Sequence, residues 1–140
     1  MIKKNLMLMM FILTSFCSNG QTPKSFKWIP WKSATTAQKA ALKKIEYLGT
    51  ETVYDHIIET LEDPCEVNIA VLDMDGDGKM EYAVRSEGGG CCGSLGCSLK
   101  VFSDGGKKYI MLTDYLEDVR PVRNGVVSSK GILIRFQKKS

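Results

Sequence analysis

Between Asp73 and Glu81 the chain reads Asp73-Met-Asp75-Gly-Asp77-Gly-Lys79-Met-Glu81, which puts carboxylates at positions 1, 3, 5 and 9 of one short loop. Two unit charges about 4 Å apart repel by about 1 kcal/mol in water and by about 4 kcal/mol at an effective dielectric near 20. Four acids in so tight a turn therefore invite a cation. Hard oxygen donors on a glycine-bent loop suit Ca²⁺, which takes about 6–8 oxygens in a flexible geometry. The expected ligands are the carboxylates of Asp73, Asp75, Asp77 and Glu81 and the backbone carbonyl of Lys79, with Gly76 and Gly78 letting the loop curl.

Asp-x-Asp-x-Asp-Gly also opens an EF-hand, but the twelfth loop position here is Val84 rather than a bidentate Glu, and the flanks read as strands. An apolar strand running into Asp-Met-Asp-Gly resembles the first motif of haloacid-dehalogenase-type phosphatases, which implies Asp73 as nucleophile and Asp75 as acid/base. Asp77 stands where that family has Thr or Val, and the chain is short for its α/β core. The loop more closely resembles the calcium loops of FG-GAP and related repeats, whose Asp-x-[Asp/Asn]-Gly-Asp-Gly-x-x-[Asp/Glu] pattern is met by Asp73, Asp75, Asp77 and Glu81. Residues 67–113 together resemble small exported bacterial proteins that combine such a hairpin with a downstream Cys-Gly-x-x-Gly-Cys loop, here Cys92-Gly93-Ser94-Leu95-Gly96-Cys97. That resemblance implies a calcium-binding hairpin and carries no activity with it. One copy of the loop implies no propeller.

The elements that must hold this loop follow from the periodicity. Strand patterning appears at Val67–Leu72, Glu81–Ser86, Ser98–Ser103, Lys108–Thr113, Asp118–Arg123 and Gly131–Phe136. Asp104-Gly105-Gly106 and Asn124-Gly125 read as hairpin turns. Ahead of them the pattern is helical. Ala37, Ala40, Ala41, Ile45 and Leu48 share a face, with Thr35 or Thr36 as N-cap and Gly49 as stop. A second helix starts at Thr50 with Glu51 in its first turn, and carries Tyr54, Ile57, Ile58 and Leu61 before Pro64. Helices first and tightly joined strands afterwards predict an α+β domain, an N-terminal helix pair packed on a mostly antiparallel β-sheet. No helix-length segment separates the strands, which disfavours a parallel Rossmann-like sheet.

Lys3 and Lys4 precede an apolar run from Leu6 to Phe16 and then Ser18 to Gln21, the pattern of a secretory signal peptide over residues 1–20 cut before Gln21. Cys17 is the alternative, a lipid-anchor site, although bulky Phe16 before it argues against that route. The expected organisation is a leader (1–20), an irregular lead-in (21–32) whose Trp28 and Trp31 pack on the domain, and a single domain (33–140). The apolar run is too short to span a bilayer, so no transmembrane segment is expected. Removing the two leader lysines from 19 basic residues against 16 acidic ones leaves a net charge of +1, which points to no nucleic-acid partner.

Four cysteines remain, Cys65, Cys91, Cys92 and Cys97, an even number in a chain bound for an oxidising compartment. Disulfides are expected, and zinc is disfavoured because adjacent Cys91 and Cys92 chelate one ion awkwardly. Of the three pairings open to four cysteines, Cys92–Cys97 with Cys65–Cys91 is the expected one; pairing Cys91 with Cys92 would strain a vicinal ring. Gly88-x-Gly90-x-x-Gly93 formally matches a dinucleotide fingerprint, but the next element is a strand where that fingerprint needs a helix N-terminus. The Gly88–Gly96 loop, with Ser94 and Leu95 at its tip, is instead the expected partner surface. His56, the sole histidine, reads as a surface helix residue.

Catalytic residues are otherwise scarce. The sequence therefore leads to an exported, calcium-stabilised binding or inhibitor module, in the periplasm, outside the cell or as an outer-membrane lipoprotein. Its partner is expected to be an extracytoplasmic protein or envelope component. A structural cell-envelope domain and a small metal-dependent hydrolase or phosphatase are the alternatives.

Overall fold

The computed structural model of the chain describes residues 25–60, 65–88, 97–115 and 118–140. The leader, Cys17, Leu61 and Pro64, and the Cys91, Cys92, Ser94 and Leu95 assignments lie outside the described residues. The chain is α+β and mostly antiparallel, with two short helices. Strands β1 (Ile29–Pro30), β4 (Glu66–Leu72), β5 (Glu81–Glu87), β6 (Cys97–Ser103), β7 (Lys108–Tyr115) and β11 (Gln137–Lys138) form a six-stranded sheet in the order β1-β4-β5-β6-β7-β11. Every pairing in it is antiparallel.

Alternation along these strands loads both faces of the sheet, since successive side chains point to opposite sides. Val67, Ile69, Val84 and Phe102 form one core with Leu42 of α1 (Thr36–Leu42), Val53 and Ile57 of α2 (Val53–Thr60), Ile45 and Trp31. Ala70, Ala83, Leu99, Val101 and Ile110 form a second core on the opposite face, closed by Met74, Val119 and Val126. Val126 belongs to a separate three-stranded sheet in the order β10-β9-β8, built from β8 (Arg120–Val122), β9 (Gly125–Val127) and β10 (Leu133–Arg135). The sequence pattern led to helices on one face only; the C-terminal strands leave the main sheet and cover the other. They are three residues long, too short for their periodicity to reveal which sheet they join.

The helices also differ from the periodic reading. The first ends at Leu42 instead of running to Gly49, because Glu46–Leu48 (β2) turns at Gly49 to pair with Glu51–Thr52 (β3). Gly49 has φ +60°, a conformation that suits this turn as well as a helix stop. Thr35 is the N-cap, in a capping box with Gln38. The cap of α2 is Thr52 in place of Thr50: its hydroxyl accepts the Asp55 N–H at 3.2 Å, while the Asp55 carboxylate accepts the Thr52 N–H at 3.1 Å. That shift buries Val53, leaves Ile58 38 % exposed, and places Glu51 outside the helix.

The lead-in is more ordered than its prolines suggested. Ile29 pairs with Ile69 at the sheet edge, and Trp31 is buried with Tyr54 edge-on at 5.6 Å. Trp28 packs on Phe26 at 5.1 Å under the Arg85 guanidinium. Both tryptophans are thus spent on packing, as their large apolar faces favour. No helix among the described residues is long and apolar enough to cross a membrane.

Candidate functional site

Leu72 pairs with Glu81, so the β4–β5 hairpin closes at the base of the acidic loop. The loop then folds around Asp73. One oxygen of Asp73 accepts the N–H of Gly76 at 2.8 Å and of Asp77 at 3.2 Å, and the other accepts the N–H of Gly78 at 2.8 Å. Gly76 and Gly78 sit at φ +72° and +82°, where a side chain would be strained. The Gly78 N–H foremost holds the Asp73 carboxyl below the usual carboxylate range, with burial opposing and the other loop N–H groups assisting. Asp77 accepts the Lys79 N–H at 2.8 Å in an Asx-type turn.

Two residues anchor the loop to the body. Met74 is fully buried in the core beneath the three-stranded sheet. Glu81 is only 1 % exposed; one oxygen accepts the Met74 N–H at 2.6 Å and the other the Ser103 hydroxyl at 3.2 Å. Burial pushes the Glu81 carboxyl above the usual range, those two hydrogen bonds oppose it, and the charges of Asp75 and Asp77 add to the rise. Asp75 reaches the other sheet, accepting the Asn124 N–H at 3.1 Å across 49 residues of sequence. Met74, Ser103 and Asn124 were not recognisable as partners of the loop from sequence, since only the strand pairing and the second sheet bring them there.

Carboxylate and carbonyl oxygens are the donors that hard cations take, and the loop carries four carboxylates within nine residues. Asp75 and Asp77 each keep one oxygen without a hydrogen bond among the described residues. As the side chains stand, no three acidic, His or Cys groups among the described residues are close enough to share an ion. Asp73, with both oxygens engaged by the backbone, is placed as an organiser of the loop and poorly placed as a nucleophile.

The glycine and cysteine loop leaves β5 at its other end. β5 is seven residues long, so Glu81 and Glu87 are about 20 Å apart at about 3.4 Å per residue. Cys65 is buried; the Cys92–Cys97 and Cys65–Cys91 pairings lie outside the described residues.

His56 is not the surface residue its helix suggested. It is half-buried, stacked on Tyr47 at 4.3 Å, with Nε2 2.8 Å from Lys100 Nζ on the central strand β6. Burial first and Lys100 second push its pKa below the ordinary 6.5, against the pull of Glu59. The folded state thus holds His56 neutral where the unfolded chain would protonate it. Stability from this group is present above the ordinary imidazole pKa and is lost as pH falls below it. Urea midpoints should drop between pH 7.5 and pH 5.5, and His56→Phe, which keeps the stack without a titrating ring, should flatten that drop. An unchanged slope in the variant would assign the pH dependence elsewhere.

Comparison of the chain with protein-family models, with curated proteins and with solved structures finds no match in any of the three.

Proposed function

We propose that this chain is an exported binding module whose β4–β5 loop is organised by calcium. The observation that carries the reading is the charge balance of the loop. Asp73, Asp75, Asp77 and Glu81 fall within nine residues around one hairpin turn, and none has a Lys or Arg ion pair among the described residues. Asp73, Asp75, Asp77 and the Lys79 carbonyl would hold the ion, with Glu81 as the buried member of the set. Bound calcium supplies positive charge that offsets the mutual repulsion of these carboxylates. Its structural consequence is reach: Asp75 ties the loop to the turn between β8 and β9, Glu81 ties it to β6, and Met74 ties it to the core. The helix pair then serves as the cover of the opposite face. The leader pattern and the cysteines support an extracytoplasmic setting, with an envelope component or exported protein as partner.

Calcium affinity should lie on the order of 10⁻⁵ to 10⁻³ M, the band of extracellular sites. At a calcium concentration 100-fold above the dissociation constant the native state gains about 2.7 kcal/mol. Calorimetric titration and thermal melts in calcium, magnesium and chelator test this. A melting temperature that is the same in calcium and chelator, together with no heat of binding, would refute it.

A further inference from the structure

The geometry points to a binding site for a tetrahedral oxyanion, a phosphate or sulfate group, in the cavity beside the acidic loop. The cavity has a volume of about 230 Å³, and three cations line it: Lys108, Arg135 and Lys138. Each comes from a different strand. Lys108 opens β7, Lys138 is its direct partner on β11, and Arg135 ends β10 of the other sheet. Like charges set directly opposite each other in an antiparallel pair destabilise it. The three are exposed, so water screens this repulsion in part, and no ion pair removes it among the described residues. Lys139, the next residue, is paired with Glu46 at 3.1 Å, and Arg85 with Glu87 at 2.7 Å, whereas none of the three has a carboxylate partner among the described residues. Asp75 also lines the cavity, held toward its edge by the Asn124 N–H at 3.1 Å, and its one negative charge leaves the three cations with a net surplus of two.

Three cations against one carboxylate around one concavity match an anion of charge near −2. A guanidinium offers a planar fork to two oxygens of such a group, and lysines add point charges from the sides. The cavity is smaller than the roughly 300–1,000 Å³ of drug-sized ligand sites, which suits one anionic group and the first atoms of its carrier. Phe136, half-buried in the wall, gives that carrier an apolar face. This names the ligand class of the module proposed above and rests on that reading for its meaning. The cations themselves stand with or without calcium.

The probes are inorganic phosphate and sulfate, titrated into the purified protein against chloride at matched ionic strength, once with calcium and once with chelator. Failure of calcium binding and failure of anion binding are then separate results. Saturable phosphate or sulfate binding and a raised melting temperature are expected. Arg135→Gln should weaken binding about tenfold, the size of one hydrogen bond to a charged group, and Lys27→Gln, outside the cavity, should leave it unchanged. The triple variant Lys108→Gln, Arg135→Gln, Lys138→Gln should bind neither anion yet melt no lower than the parent without ligand, because its like-charge repulsion is gone. Adding a phosphate monoester and a sulfated monosaccharide shows which carrier is preferred, the tighter of the two naming it. The proposal is overturned if phosphate and sulfate act no differently from chloride, or if the triple variant binds them as the parent does.

Discussion

Gly125→Ala should lower the melting temperature by about 10 °C, the equivalent of about 3 kcal/mol in a domain of this size. Gly125 opens β9, the central strand of the three-stranded sheet, where it pairs with Val122 on one side and Arg135 on the other. A Cβ at this position would be driven into the carbonyl oxygen of Ile134 and against the Arg135 backbone. These are backbone atoms in a paired strand, so no side-chain rotation relieves the clash and β10 must move away. That movement withdraws Ile134 from the core around Met74 and Val126. It also displaces Arg135, so phosphate binding should weaken along with stability. A thermal melt within 2 °C of the parent (a threshold of about 0.5 kcal/mol) would mean that β9 and β10 are not packed as closely as the structure has them.

Glu81→Ala should cost about 3 kcal/mol, while Glu81→Gln should cost well under half of that at neutral pH. The alanine variant strips an acceptor from the buried Met74 N–H and from the Ser103 hydroxyl, and each unsatisfied buried donor costs about 1–3 kcal/mol. It also leaves a void in a site that is 1 % exposed. Glutamine keeps the carbonyl oxygen for Met74 and can donate its amide to Ser103. Being neutral, it also avoids charging a carboxyl that burial disfavours. Urea unfolding in chelator separates the two variants. Equal losses in alanine and glutamine would show that the charge of Glu81, and not its role as acceptor, holds the loop.

The acidic loop illustrates how far local pattern reaches. Alternation in Val67–Leu72 and Glu81–Ser86 around a glycine-punctuated turn left only one local solution, a hairpin, and the structure has it as β4 and β5 with Leu72 opposite Glu81. The Asp104–Gly106 turn and the antiparallel class were legible for the same reason: residues close in sequence decide them. At Asn124-Gly125 the reading was right about a hairpin but one residue late, since the turn is Arg123–Asn124, with Asn124 at φ +65° and Gly125 already paired.

What the sequence by itself determined, then, are the features whose causes lie within a few residues: the curl of the loop, the strand pairs that flank it, a threonine cap at Thr35 or Thr36, and the alternation that makes the sheet two-faced. Tertiary structure alone decided which surfaces meet. It covered the second face with β8–β10, moved the helix boundary from Gly49 to Leu42, and laid His56 against Lys100 across 44 residues. It also joined Asp75 to Asn124 across 49 residues and brought Lys108, Arg135 and Lys138 around one cavity. None of these has a local signature, because a short strand or a single lysine is compatible with many neighbours. Burial of the two cores selects among them only once the whole chain has closed.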